Sequence, residues 1–196
     1  MPIHSLPAEL LLHILSRTPS VTALFALATT CRRLYSLFQS SQASLLYSVL
    51  AAELGPVLPD ALGLAHSEVL DGSRGASRAR YIAGIDAALD AYGGYLAGER
   101  DGLSEQTLEL DEVLRLVRAF KTVGWVAGLY ERCMMGLFEN EVRPACNGSE
   151  ESARAVVAPL SLVERLRVLR AFYRLQMALH IWGSSAVGMR IRDVKN

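Results

Sequence analysis

The residue types that most often carry chemistry are few and scattered in this chain. Its four histidines are His4, His13, His66 and His180, and its three cysteines are Cys31, Cys133 and Cys146. None of these spacings matches a metal-ligand pattern, within either set or between them. A glycine-rich phosphate loop is also lacking: Gly93-Gly94 is followed by neither the lysine nor the Ser/Thr that such a loop needs. No Gly-x-Ser-x-Gly elbow occurs. Glu109, Asp111 and Glu112 crowd one turn, but carboxylates opening a helix simply complement its dipole. The expectation is therefore no catalytic residue, no metal ligand and no cofactor. The odd, widely spaced cysteines fit a reducing compartment better than a disulfide scaffold.

What the sequence does offer is apolar surface in excess. Leu10, Leu11, Leu12, Ile14 and Leu15 wrap most of one helical wheel, where a globular helix needs a single stripe. Val21, Leu24, Phe25, Leu27 and Ala28 repeat the excess in the next segment. A unit of ~40 residues buries too little of its own surface to hide all of this. Either the rest of the chain or a partner protein must cover the remainder.

The elements that hold these side chains carry helix signals throughout, and strand signals are scarce, with few segments that alternate. Pro7 suits a helix start, and a first helix is expected over 7–16. Ser20 is the expected N-cap of a second helix over 21–29, and a third covers 31–38. A fourth spans 41–54 and stops at Gly55-Pro56. Beyond it, a short helix over 60–70 precedes a Gly/Ser-rich loop at 72–77. A longer helix over 79–96 is expected to pack through Tyr81, Ile82, Ile85, Leu89, Tyr92 and Leu96. Asp101-Gly102 marks a turn, and two helices are expected over 108–120 and 122–138. The stretch 139–160 reads as a surface loop. Ser161-Leu162-Val163-Glu164 is a capping box that starts a last helix running to Trp182, with Gly183 ending it and a poorly patterned tail after it. No repeat of solenoid or propeller type is evident.

Composition narrows the class further. With 51% hydrophobic and 20% charged residues, 196 residues can bury a real core. Zero net charge argues against a nucleic-acid footprint. Glu9, His13 and Arg17 interrupt the first apolar run, so it does not read as a secretory signal. No uninterrupted apolar stretch reaches the ~18 residues that span a bilayer. The sequon Asn147-Gly148-Ser149 would count only in a secreted protein. The expectation is a cytoplasmic or nuclear protein without nucleic-acid or membrane partners.

The segment Leu6-Pro7-Ala8-Glu9-Leu10-Leu11, followed by Ile14-Leu15, resembles the opening pattern of the F-box family. Leu24, Leu27 and Ala28 sit where that family's second helix is apolar. Cys31-Arg32-Arg33-Leu34-Tyr35 is similar to its third-helix pattern. Two positions depart: Thr18 stands where the family usually has leucine, and Tyr35 where tryptophan is common. Residues 108–120 and 159–174 are similar to the helical region after the F-box in many fungal members, and the tail then fits a shortened member.

The resemblance implies an all-α chain with a three-helix F-box module over 1–40 and a helical, substrate-binding region over 41–196. It implies binding to a Skp-type adaptor through Leu6, Pro7, Leu10, Ile14, Leu15, Leu24, Leu27, Cys31, Arg32 and Tyr35. Through that adaptor, cullin and RING subunits of a ubiquitin ligase would follow, with a protein substrate that the sequence does not identify. Two alternatives stay open: a helical interaction protein without a ligase role, and an F-box protein that acts with the adaptor outside a ligase.

Overall fold

The computed structural model describes residues 6–71, 78–99, 109–137 and 160–183. Among these residues every regular element is helical. The loops expected at 72–77 and 139–160, the Asp101-Gly102 turn, the sequon and the tail lie outside the described residues, except that Leu160 precedes the last helix.

The first four helices are α1 (Ala8–Ser16), α2 (Val21–Ala28), α3 (Arg32–Ser40) and α4 (Gln42–Leu54). Pro7 is the N-cap of α1, and its carbonyl accepts from Leu11 N–H at 3.2 Å. Ser20 caps α2 as expected: its hydroxyl accepts from Ala23 N–H at 3.1 Å. Cys31 is the N-cap of α3, in extended backbone, and contributes no side-chain cap bond.

Each of α1, α2 and α3 packs on the other two and on α4. Their shared core is Leu11 and Leu15 of α1, Val21, Leu24 and Ala28 of α2, Leu34 and Phe38 of α3, and Leu45, Leu46, Val49 and Leu50 of α4. A second link is polar. The Glu53 carboxylate accepts from Val21 N–H at 3.0 Å, so α4 satisfies one of the open donors at the start of α2. The three short helices thus rest on the fourth, which supplies part of the cover that a ~40-residue unit lacks.

Gly55 takes a positive φ of 50° after α4, a conformation that costs glycine little, and a 3-10 turn over Gly55–Val57 leads into α5 (Leu58–Asp71). Gln42–Ser67 is long and apolar enough to cross a membrane by length and composition, yet half of it is buried within the protein. Core packing accounts for that apolarity: Leu54, Val57, Ala61, Leu62 and Leu64 are all buried.

Helix α6 (Arg78–Ala97) packs on α5. Here the expected contact face is corrected. Ala88, Ala91 and Tyr95 are buried, whereas Ile82, Leu89 and Leu96 are exposed. Small side chains let two helix backbones approach, so the alanine ridge faces inward and the larger residues are turned out. The Tyr92 hydroxyl donates to the buried Asp60 carboxylate at 2.7 Å, and the His66 and Tyr95 rings meet edge to face at 5.7 Å. Gly98, at φ 69°, ends α6, with Glu99 N–H donating to the Gly94 carbonyl and Gly98 N–H to that of Tyr95.

The two helices expected over 108–138 are a single helix, α7 (Leu110–Leu137). Lys121 and Thr122 carry no proline or capping geometry, and a glycine such as Gly124 weakens a helix interior without breaking it. Residues 1–119 form one compact unit and 120–196 a second, the division falling within α7. In the second unit α8 (Leu162–Ala178) begins with the expected capping box: Glu164 N–H donates to the Ser161 hydroxyl at 3.3 Å, and Ser161 N–H donates to the Glu164 carboxylate at 2.9 Å. A π-helical turn over Leu179–Gly183 follows it. Tyr130 and Phe172 meet edge to face at 5.8 Å, and Val123, Ala127, Tyr173, Met177 and Ile181 are buried.

Candidate partner-binding surface

On an α-helix each residue advances by about 100°, so Leu11 and Leu15 share one face of α1 while Leu10 and Ile14 lie to its side. Leu11 and Leu15 are the face that the core takes. Leu10 is 51% exposed and Ile14 half-buried, and Leu6 and Pro7 precede them, half-buried and exposed. This flank is the apolar surplus anticipated for α1.

Helices α2 and α3 present smaller shares. Leu27 is half-buried, and Leu24 is wholly enclosed. Cys31 is half-buried, Arg32 exposed, and Tyr35 47% exposed. The Tyr35 hydroxyl accepts from the Gln39 amide at 2.8 Å, which braces the phenol along its own helix.

The ten expected residues therefore divide. Leu15 and Leu24 have no exposed area and offer a partner none; they support the helices from beneath. Leu6, Pro7, Leu10, Ile14, Leu27, Cys31, Arg32 and Tyr35 keep some surface. The division follows from helical geometry, because the residues that meet α4 cannot also face outward.

Phe25 was not among the ten, although it keeps 36% of its surface. Its ring meets Phe38 edge to face at 5.4 Å. The signal was present in the sequence: α2 carries apolar residues on more than one face, and Phe25 is the largest of them.

Thr18, which departs from the expected pattern, is satisfied locally. Its hydroxyl donates to the Leu15 carbonyl at 2.9 Å, closing the end of α1. The turn thus buries no unpaired hydroxyl.

The chemistry this surface can perform is association. Fully burying one leucine is worth about 1.5–3 kcal/mol, and a half-exposed one retains a part of that for a partner. Among the described residues no group of three or more His, Cys, Asp or Glu side chains is placed to hold a metal ion.

Residues 3–44 match the F-box-like family model, a span that takes in α1, α2, α3 and the start of α4. No curated protein and no solved structure matches the chain. Residues 3–44 are accordingly similar to the F-box-like family, whose domains are protein-interaction modules, and further helices follow them in the chain.

Proposed function

We propose that this protein is a non-catalytic substrate receptor of a Skp–cullin–F-box ubiquitin ligase. Its F-box-like domain docks on a Skp-type adaptor, and the adaptor joins it to the cullin and RING subunits. The observation that supports the reading is the match of residues 3–44 to the F-box-like family. The span that matches the F-box-like model is also where Leu10, Phe25 and Tyr35 stay exposed above a sealed core.

In this reading residues 1–40 form the docking module and residues 41–196 hold a protein substrate. Leu6, Pro7, Leu10, Ile14, Leu27, Cys31, Arg32 and Tyr35 meet the adaptor, with Phe25 added to them. The protein makes and breaks no bond itself. It raises the effective concentration of a substrate lysine near the ubiquitin thioester held by the ligase. Neither nucleic acid nor membrane takes part, and the site of action is the cytoplasm or nucleus.

Calorimetric titration of the purified chain with a Skp-type adaptor tests the reading. Saturable one-to-one binding is expected, followed by co-purification of cullin with the complex. No heat of binding would return the chain to the class of helical interaction proteins without a ligase role. Adaptor binding without cullin would mark a protein that acts with the adaptor outside a ligase.

A further inference from the structure

Helix α8 has a second apolar face that stays exposed among the described residues. Its inner face carries Tyr173 and Met177, both buried. On the opposite side Val168, Ala171 and Leu175 recur at intervals of three and four residues, which places them along one stripe, and Leu179, the first residue of the π-helical turn, follows four residues on. Leu175 is 54% and Leu179 53% exposed, and Trp182, 65% exposed, follows in the π-helical turn. Such a three-four alternation is the spacing by which one helix receives another.

The charges that α8 itself sets beside this stripe are positive, and Glu164, four residues before Val168, heads it. Leu162–Ala178 contains four arginines, Arg165, Arg167, Arg170 and Arg174, against the single acid Glu164. That carboxylate is engaged in the capping box at the helix start. Helical geometry puts Arg165 on one side of the stripe and Arg167 on the other, both exposed. All four cations are arginine, whose planar fork fits a carboxylate with two parallel hydrogen bonds, as lysine cannot.

We infer that the outer face of α8 docks an acidic amphipathic helix of another protein, leucine-type side chains on the stripe and Asp or Glu against the flanking arginines. An anionic membrane would also attract arginine. However, a helix lying in a bilayer surface needs a wide apolar face, and the inner half of α8 is already committed to the protein core. The inference holds whether or not the F-box-like domain enters a ligase, because it concerns the second compact unit alone.

The test uses the full chain and a fluorescein-labelled helical peptide with leucines at heptad spacing flanked by glutamates. Fluorescence anisotropy should give a Kd on the order of 10 μM, weakening at least tenfold from about 50 mM to about 500 mM salt. Two control peptides, one with lysine for each glutamate and one with serine for each leucine, should bind at least about tenfold more weakly. Leu175→Ser with Leu179→Ser should lose about tenfold in affinity, and so should Arg165→Gln with Arg167→Gln. Both double variants should keep the circular dichroism and the adaptor binding of the parent. Equal affinity for the acidic and lysine peptides, or no binding of either, would overturn the inference. So would peptide affinity that both double variants retain. It would equally fall if vesicles containing phosphatidylserine bound the stripe while the acidic peptide did not, or if sedimentation showed a second copy of this chain covering it.

Discussion

Leu10 and Leu15 lie five residues apart on one nine-residue helix and have opposite duties. Leu15 is enclosed by its own unit, while Leu10 stands half in solvent. Truncating Leu15→Ala removes buried methyl groups and leaves a cavity, so a loss of about 2–5 kcal/mol in urea unfolding is expected. Leu10→Glu should leave that stability within about 0.5 kcal/mol, because the side chain sits outside the core. In the proposed adaptor complex it should cost about 2 kcal/mol or more of binding, close to thirtyfold in Kd by calorimetry. Unaltered affinity for Leu10→Glu would remove α1 from the interface.

Tyr47 gives a second residue-scale expectation. Burial, with Tyr95 nearby, holds its phenol above the ordinary value of 10.0. A raised folded value means that the unfolded chain loses the proton first. The contribution is therefore whole below about pH 10 and is lost as pH rises through the folded value. Tyr47→Phe should flatten the alkaline limb of a stability–pH curve and leave the neutral range unchanged.

At the scale of elements, helix ends matter because each leaves backbone donors open. The Glu53 carboxylate reaches across 32 positions to Val21 N–H. Glu53→Ala should destabilise the first unit by about 1 kcal/mol through loss of that remote cap. A melting temperature equal to the parent's would show that water replaces it without cost. At α8 the cap is local. Hydrogen bonds from the Ser161 side chain and backbone hold the Glu164 carboxyl below its ordinary value of 4.5. A lowered folded value means that the contribution is present above about pH 4.5 and fades as acid protonates the folded carboxylate. Helicity at 222 nm should therefore fall on acidification, and Glu164→Gln, which preserves the reach of the side chain, should make the fall smaller.

Over the whole molecule, two compact units, 1–119 and 120–196, divide the chain. The only tryptophans, Trp125 and Trp182, both belong to the second. Tryptophan emission thus reports that unit, whereas far-ultraviolet circular dichroism reports both. Urea unfolding followed by the two signals should give transitions that do not coincide, since each unit has buried side chains of its own. Leu15→Ala should shift the dichroism curve and leave the emission curve in place. Superimposable curves that shift together would mean a single cooperative block.

Much of this was legible before any coordinates. Ser20 and the Ser161–Glu164 box announce helix starts because capping is a matter of a few neighbouring residues, and the chain spells it out locally, whereas the last α-helix stops at Ala178 and not at Trp182. The F-box-like span was readable for a similar reason: its ordered apolar and basic positions fall within ~33 residues, and an all-helical class follows from their periodicity. Tertiary structure alone decided which apolar face each helix turns inward. Periodicity showed α1 greasy on most sides and gave α6 one broad apolar face, through Ile82, Leu89 and Leu96 among others. It took the packing of α2, α3 and α4 on α1 to enclose Leu15 rather than Leu10, and the packing of α5 on α6 to bury Ala88 and Ala91 while Ile82 and Leu89 stayed outside. A helix's pattern records how much surface must be covered, whereas the choice of cover depends on residues far along the chain.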